Sequence, residues 1–234
     1  MGSFYRRVGI SLTSKHKVMA ILPSSNVIYP KGTIGTLVFY TLNGKTVVRS
    51  KPGSNHKNKH NPSPLQLIQR EKLSTINAFL KPIKWALDFG FQEFMTQSKK
   101  GMHCAYSEIN TKGYNHTREP RIDPAFLRIS KGGLLGPESP RLIRNGNSLE
   151  ITWADNSAEG KAQASDETFI LCYCPEEKKY IWPKIKFRRN GGQAVIELNS
   201  EQSAMSWHVY LAFSQTNLKK RTSILSDSVH LGRV

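Results

Sequence analysis

The chain has 234 residues, of which 38% are hydrophobic, enough to fill the core of one large domain or of two ordinary ones. Its 34 Lys and Arg outnumber its 17 Asp and Glu, and the net charge of +17 favours polyanionic partners such as nucleic acid, anionic lipid or an acidic protein. The sequence excludes a membrane-spanning helix, because no apolar stretch approaches the ~20 residues required, and its odd count of three cysteines argues against a disulfide framework.

The positive charge is concentrated at the N-terminal end. Residues 1–70 contain eleven Lys and Arg and no Asp or Glu. This segment predicts a surface whose cations contact the phosphates of a polyanion, whereas a solvated basic surface or a flexible basic arm is the alternative. The predicted polyanion-binding residues are Arg6, Arg7, Lys15, Lys17, Arg49, Lys51, Lys57 and Lys59. The aromatic residues that would stack on bases, if they are exposed, are Phe4, Tyr5, Tyr29 and Tyr40.

Short strands are predicted for the first fifty residues. Residues 18–22 and 26–29 favour strands on either side of a turn. Residues 35–50 predict a β-hairpin, because Asn43-Gly44 is a strong signal for a two-residue turn between runs of β-branched and aromatic residues. Residues 50–63 are polar and rich in turn-forming residues, so we expect an exposed loop that leads into a helix.

A long amphipathic helix is predicted for residues 64–100. Ser63 is expected to cap it in a capping box with Gln66, and Pro64 suits its first turn. Apolar residues then recur every three or four positions, and Pro82 within that stripe predicts a kink, or two helices that meet, near Lys81. We expect the helix to end before Gly101 and to pack against the N-terminal strands, with an oligomer interface as the alternative. These elements define a basic N-terminal α+β region over residues 1–122.

The rest of the chain, residues 123–234, has the pattern of a β-sandwich. Residues 149–153 and 205–213 alternate between apolar and polar side chains, as half-buried strands do. Further strands are expected at residues 168–174, 179–182, 185–189, 194–198 and 226–232. Many short strands separated by frequent turns indicate an immunoglobulin-like or fibronectin-like sandwich, and the whole chain is therefore predicted to be α+β and mainly β.

The order of several segments resembles a known family. In chain order these segments are GTIGTLVFYTLNGKTVVRSKP, SPLQLIQREK, FLKPIKWALDFGF, RISKGGLLGPESP, ITWADNSAEGKAQASDE, VYLAFSQ and SDSVHLG. From Lys31 onward the chain is similar to a family of uncharacterised proteins from Bacteroidota, catalogued as a domain of unknown function. The resemblance implies a bacterial origin and a shared two-part design, and it implies no activity. Residues 1–30 and the His-rich loop at 56–60 depart from the family pattern, so a targeting or arm role for residues 1–30 stays open.

No sequence motif supports catalysis, a metal or a cofactor. The quartet at residues 43–46 resembles the end of a phosphate-binding loop, but a two-residue hairpin turn cannot form the phosphate cradle. His56 and His60 have the spacing of metal ligands, but they lie in a turn-rich loop and no acidic ligand is near them in sequence. Asp155 is expected to bind turn backbone rather than calcium or a substrate. Cys172 and Cys174 are expected to be buried as small hydrophobic side chains, as is Cys104.

A second basic cluster is predicted between residues 184 and 188. On a strand, alternation would place Lys184, Lys186 and Arg188 on one face and Ile185 and Phe187 on the other. Such a stripe could contact phosphates, and a solvated face of the sandwich is the alternative. It matches no named nucleic-acid-binding motif.

These features predict a protein that is not an enzyme and that acts in binding or assembly. The basic N-terminal half is expected to engage a polyanion, most plausibly nucleic acid, while the sandwich or the helix makes protein contacts or self-associates. A structural subunit of a cell-surface, secreted or phage-like assembly is the alternative. The odd cysteine count and the lack of a signal peptide favour the cytoplasm.

Overall fold

The structure, a computed structural model, describes residues 19–21, 31–42, 44–51, 61–217 and 222–234. The chain divides into two compact units, Met1–Pro62 and Ser63–Val234. We refer to them as the N-terminal unit and the C-terminal unit. The boundary therefore falls between Pro62 and Ser63, rather than between residues 122 and 123 as predicted, because the helices that follow Ser63 share a core with the C-terminal strands.

The described part of the N-terminal unit is an antiparallel sheet. Its strands, in the order β1-β4-β3-β2, are β1 (Met19–Ile21), β2 (Gly32–Ile34), β3 (Leu37–Leu42) and β4 (Lys45–Ser50). Leu42 pairs with Lys45, which confirms the hairpin, and Gly44 has a φ of +75° that its turn requires. The strand expected at residues 26–29 lies outside the described residues, as does most of the predicted loop, residues 52–60.

The helical part of the C-terminal unit begins as predicted and is then interrupted. Helix α1 (Pro64–Leu80) begins with the expected capping box, in which the Gln66 amide donates to Ser63 Oγ at 3.3 Å and the Ser63 amide donates to Gln66 Oε1 at 3.2 Å. A 3₁₀ turn, Lys81–Ile83, contains Pro82 and separates α1 from α2 (Lys84–Gly90). The predicted kink is confirmed, and the prediction of one helix over residues 64–100 is partly wrong.

Gly101 begins a helix rather than ending one. Helix α3 (Gly101–Glu108) starts where the sequence predicted a C-terminal end. The Gly101 amide donates to Asp88 Oδ1 at 2.9 Å, and a Cβ on Gly101 would collide with the Leu87 carbonyl group. Glycine is therefore required here for the close approach of α2 and α3, and not for a left-handed helix end. A π-helical turn, Ile109–Gly113, follows α3.

The strands of the C-terminal unit form two antiparallel sheets. They are β5 (Glu138–Asn145), β6 (Ser148–Ala154), β7 (Glu167–Cys174), β8 (Lys179–Ile181), β9 (Gln193–Glu197), β10 (His208–Asn217), β11 (Thr222–Leu225) and β12 (Val229–Arg233), with a short helix α4 (Ser200–Ser203) after β9. The central sheet has the order β11-β10-β7-β8, and β12 also pairs with β10. The outer sheet has the order β5-β6-β9.

The C-terminal unit is layered, with the central sheet between the helices and the outer sheet. On β7, Phe169, Leu171 and Tyr173 face the core that contains the buried residues of α1, α2 and α3. The alternate residues Ile170 and Cys172 face the core shared with the outer sheet. The buried residues of the helices thus pack on the C-terminal strands, whereas the sequence predicted the N-terminal strands as their partner. The molecule is a mixed α+β protein, while the immunoglobulin-like character of the facing sheets stays a prediction.

Two strand predictions fail, one in the burial of β10 and one in the structure of residues 185–189. Strand β10 is buried at every position from His208 to Ser214, because its second face is covered by helices, so the expected half-burial is wrong. The segment 185–189 is not a regular strand. It forms one bridge, between Glu167 and Arg188, before a 3₁₀ turn at Arg189–Gly191.

Candidate functional site

The pairing of β3 with β4 gives the N-terminal sheet two different faces. Residues that pair directly across antiparallel strands lie on the same face. One face therefore carries Tyr40 together with the cations Lys45 and Arg49, and the Arg49 guanidinium carbon lies 5.7 Å from the centre of the Tyr40 ring. The other face carries uncharged side chains from the same strands, including Leu37 and Phe39. Lysine and arginine side chains are thus presented beside an aromatic ring on one face.

The N-terminal unit has no carboxylate side chain to neutralise its cations. Residues 1–62 contain ten of the Lys and Arg and no Asp or Glu, and the first acidic residue of the chain, Glu71, lies on α1 of the C-terminal unit. Of the predicted polyanion-binding residues, Arg49 and Lys51 are exposed, as are Lys31 and Lys45. The other predicted residues, Arg6, Arg7, Lys15, Lys17, Lys57 and Lys59, lie outside the described residues.

The second basic cluster is exposed, but its predicted strand geometry is wrong. Lys184, Lys186 and Arg188 are exposed, and so is Ile185, at 72% of its surface. Because this segment is not a regular strand, apolar and basic side chains do not separate onto two faces. Instead, Lys184 and Lys186 line an open groove of about 450 Å³, which we call the aromatic groove, with Trp85, Tyr180, Trp182 and Pro183.

The aromatic groove is built from rings that come from distant parts of the chain. Trp85 of α2 stacks on Trp182, which follows β8, with ring centres 3.8 Å apart and planes inclined by 12°. The Tyr180 ring centre is 5.1 Å from that of Trp85. The ring centre of Trp182 is also 5.3 Å from that of the fully buried core residue Phe169, so the rings of the groove pack directly on the hydrophobic core. Sequence analysis missed this cluster, since nothing local indicates that α2 packs beside β8.

Lys186 is held against the rings of this groove. Its Nζ atom lies 5.3 Å from the centre of the Trp182 ring and 5.8 Å from that of Phe89. Burial against the rings lowers the pKa of Lys186, and the charge of Glu167 partly opposes that effect. The ammonium group of this lysine, which is exposed overall, therefore lies within cation–π distance of two rings.

Arg189 is a buried charged residue that sequence analysis also missed. Its Nε donates to Asp166 Oδ2 at 3.1 Å, its Nη2 donates to the Leu135 carbonyl at 2.8 Å, and its Nη1 donates to Asn156 Oδ1 at 2.5 Å. Neither Arg189 nor Asp166 exposes its side chain, and the guanidinium carbon lies 3.9 Å from the Phe213 ring centre. These contacts fix loops and present no group to a ligand.

The loop and cysteine predictions are confirmed. Asp155 Oδ1 accepts a hydrogen bond from the Ser157 amide at 3.0 Å, which is the turn role expected of it. Cys104, Cys172 and Cys174 are free thiols buried in the two cores. Burial raises the pKa of Cys172 to about 12, so its thiol is an unreactive core side chain.

A pair of histidines lies on the neighbouring strands β10 and β12. His208 Nδ1 is 3.1 Å from His230 Nε2, and the Tyr210 ring lies 5.0 Å from the His230 ring. Burial, with contributions from the charges of His230 and Arg233, lowers the pKa of His208 to about 4. Burial also lowers the pKa of His230. Both imidazoles are thus neutral near pH 7.

The described part of the chain contains no candidate metal site and no candidate membrane-spanning helix. There, His, Cys, Asp and Glu side chains form no group of three or more that could hold a metal ion. The candidate ligands His56 and His60 lie outside that part. No helix in the described ranges combines the length and the apolar character needed to span a membrane.

The fold and these surfaces define a mixed α+β protein with a basic N-terminal sheet and an aromatic groove on its layered C-terminal unit. The chain belongs to a family of unknown function, DUF6266, which matches residues 29–232. The predicted family resemblance is thereby confirmed, while the bacterial group expected for it stays a prediction. No curated protein matches the chain, and no solved structure matches it.

Proposed function

We propose that this chain is a non-catalytic binding protein whose N-terminal unit holds a polyanion, nucleic acid foremost. One observation carries the proposal: the acid-free segment of the sequence contains a whole compact unit, Met1–Pro62, with ten Lys and Arg. A unit without carboxylates cannot pair its cations internally, and such an excess of positive charge attracts polyanions. When its Lys and Arg contact the phosphates of a polyanion, they displace the cations condensed on those phosphates, and the release of these ions drives binding.

The hairpin of the N-terminal unit suits nucleic acid in particular. Arg49 and Lys45 share a face with Tyr40, which places cations beside an aromatic ring. Proteins that bind nucleic acid without sequence preference combine cations for the phosphates with rings for the bases. In this proposal the C-terminal unit contributes protein contacts, and its facing sheets are of the immunoglobulin-like type. The buried free cysteines are compatible with the cytoplasmic location that we include in the proposal.

The perturbed titratable groups favour binding over catalysis. Burial dominates the pKa shifts of Cys172, Tyr173, His208 and Tyr210, which lie on strands of the central sheet. Among the described residues, the charged side chains that line the aromatic groove are lysines, and the others are aromatic rings and Pro183. A binding role therefore accounts for the charged surfaces without a reaction.

Salt dependence tests the electrostatic mechanism. We would measure binding of the full chain to a fluorescent DNA oligonucleotide by anisotropy between about 50 and 200 mM salt, where a protein that contacts six to ten phosphates loses affinity by about 10³-fold or more. The variant Arg49→Gln/Lys51→Gln should reduce the slope of log K against log salt by about 2. The matched control Lys112→Gln/Lys161→Gln removes two exposed cations from the C-terminal unit. Salt-independent binding, or equal slopes for the two variants, would contradict the proposal.

A second candidate, a structural subunit of a larger assembly, is favoured by exposed apolar side chains on α1. Leu65 exposes 75% of its surface, and Ile68 and Leu73 are also exposed. Exposed apolar clusters mark protein contacts. Size-exclusion chromatography with light scattering separates the candidates: a stable high-order oligomer free of nucleic acid favours the subunit, and a monomer that shifts on addition of DNA or RNA favours the binding protein.

A further inference from the structure

In the aromatic groove, part of the aromatic ring surface is exposed and is not buried in the core of the C-terminal unit. Tyr180 lies on the edge strand β8 and exposes 43% of its surface, while Trp85 and Trp182 beside it are half-buried. The stack of Trp85 on Trp182, and the contact of Trp182 with Phe169, fix the rings against the fold. The rings thus form a fixed apolar platform at the surface.

The charge around this platform has one sign. Lys184 and Lys186 line the groove, and no carboxylate or amide side chain lines it within the described residues. Lys186 is held over the Trp182 ring, and Arg188 continues the basic segment on the exposed side. The negative charge of Glu167 acts on Lys186 from outside the residues that line the groove. A ligand that fits here is flat and apolar in one part and anionic in the other.

We infer that the aromatic groove takes an unpaired nucleobase, with the adjoining phosphates on Lys184 and Lys186, so that the protein prefers single-stranded to duplex nucleic acid. The inference rests on the proposed function, since the N-terminal unit supplies the general attraction for phosphate. A duplex conceals the faces of its bases by stacking, whereas a single strand exposes them to a ring platform. A neutral sugar fits less well, because the hydroxyl-binding carboxylates and amides that sugars require do not line the groove in the described structure.

Tryptophan fluorescence gives a direct signal for the groove. Two of the four tryptophans, Trp85 and Trp182, line it, whereas Trp153 and Trp207 are buried in the core shared with the outer sheet. A base that stacks in the groove quenches the first pair and leaves the second pair unchanged. A strand that carries phosphates without bases does not quench.

The experiment compares the full chain with two variants. The groove variant is Tyr180→Ala/Lys184→Gln, which removes exposed side chains and leaves Trp85 and Trp182 in place. The matched control is Phe94→Ala/Lys131→Gln, which removes another exposed ring with a lysine over it, at 5.4 Å, outside the groove. The probes are a thymidine oligonucleotide, an abasic strand of the same length and charge, and a duplex, each of about 20 nucleotides or base pairs. Circular dichroism and thermal unfolding establish that the variants fold. If the groove variant does not fold, the single variant Lys184→Gln replaces it.

We expect the full chain to bind the thymidine strand about tenfold more tightly than the abasic strand, with quenching, because stacking of one base contributes about 1–3 kcal/mol. The groove variant should lose that preference, and the control should keep it. Equal binding of thymidine and abasic strands, with the groove variant unchanged, overturns the inference and leaves the proposed function standing. The opposite result is also informative. If the groove variant loses thymidine binding while Arg49→Gln/Lys51→Gln leaves the salt dependence unchanged, the proposed role of the N-terminal unit is overturned and the inference about the groove stands.

Discussion

Arg188 and Arg189 are adjacent in sequence and differ completely in environment. Arg188 is exposed, whereas Arg189 is fully buried and joined to Asp166, Asn156 and the Leu135 carbonyl. A buried ion pair contributes little relative to an apolar replacement of both partners, but the loss of one partner leaves an uncompensated buried charge. Arg189 therefore acts as a structural residue, and Arg188 is the member of the pair that is available to a ligand.

Arg189→Met should lower the free energy of unfolding by about 3–5 kcal/mol, because the Asp166 carboxylate stays buried without its cation. Urea unfolding at pH 7 measures the change. The neighbouring Arg188→Met should shift it by less than about 0.5 kcal/mol, as expected for an exposed position. Similar losses for the two variants would show that Arg189 is not the buried partner of Asp166.

The histidine pair predicts a loss of stability in mild acid. The folded pKa of His208 is about 4, below the usual value of 6.5, so the unfolded chain binds the proton first as pH falls. The stabilisation is therefore complete above pH 6.5 and is lost progressively towards pH 4. Between pH 7 and pH 5 the full chain should lose about 1–2 kcal/mol through His208, measured by urea unfolding. His208→Asn should flatten this dependence and the exposed His116→Asn should not; an unchanged slope in His208→Asn would contradict the assignment.

Helix α1 combines an exposed first half with a buried second half. Its first turns expose Leu65, Ile68 and Leu73, while Ile76 and Leu80 are fully buried in the core that the helices share with the central sheet. The apolar stripe looks continuous in sequence because spacing reports only which residues share a helix face. How far along the helix the face is covered depends on the packing partner.

Substitutions along α1 should separate these two halves. Leu65→Gln/Ile68→Gln should change the free energy of unfolding by less than about 0.5 kcal/mol, since no buried contact is lost. Ile76→Ala and Leu80→Ala should each cost about 2–5 kcal/mol, because each leaves a cavity in a packed core. Urea unfolding of all three variants provides the comparison. A large loss from the glutamine variant would mean that this part of α1 is covered in solution, which light scattering at several concentrations would detect as self-association.

At the scale of the whole molecule, charge and hydrophobic burial are divided between the two compact units. The N-terminal unit carries ten positive charges of the net +17, and its buried hydrophobic core among the described residues is limited to Val47. The C-terminal unit contains the two large cores. Excess positive charge and hydrophobic burial are therefore concentrated in different parts of the chain.

A fragment of residues 63–234 should fold by itself, because both large cores lie within it. We expect one cooperative unfolding transition by circular dichroism. The fragment should also bind DNA with a smaller salt slope than the full chain, since the ten cations of residues 1–62 are absent. A fragment with the full salt slope would place the phosphate contacts in the C-terminal unit and would contradict the assignment of polyanion binding to the N-terminal unit.

The sequence by itself determined the features that depend on near neighbours in the chain. The Asn43-Gly44 turn, the capping box of Ser63 with Gln66 and the break at Pro82 are local, so their residues specify them directly. The acid-free N-terminal segment and the family resemblance are likewise readable without coordinates. For the same reason the positions of most C-terminal strands were predicted well.

Only the tertiary structure decided which faces are covered and which side chains meet. Helices cover the second face of β7 and β10. The close approach of α2 leaves no room for a side chain at position 101, and Trp85 stacks on Trp182, which is distant in sequence. Sequence periodicity gives the direction of a side chain from its own element, but not the element that packs against it. The aromatic groove and the burial of Arg189 exist through such distant contacts, and for this physical reason the sequence alone did not reveal them.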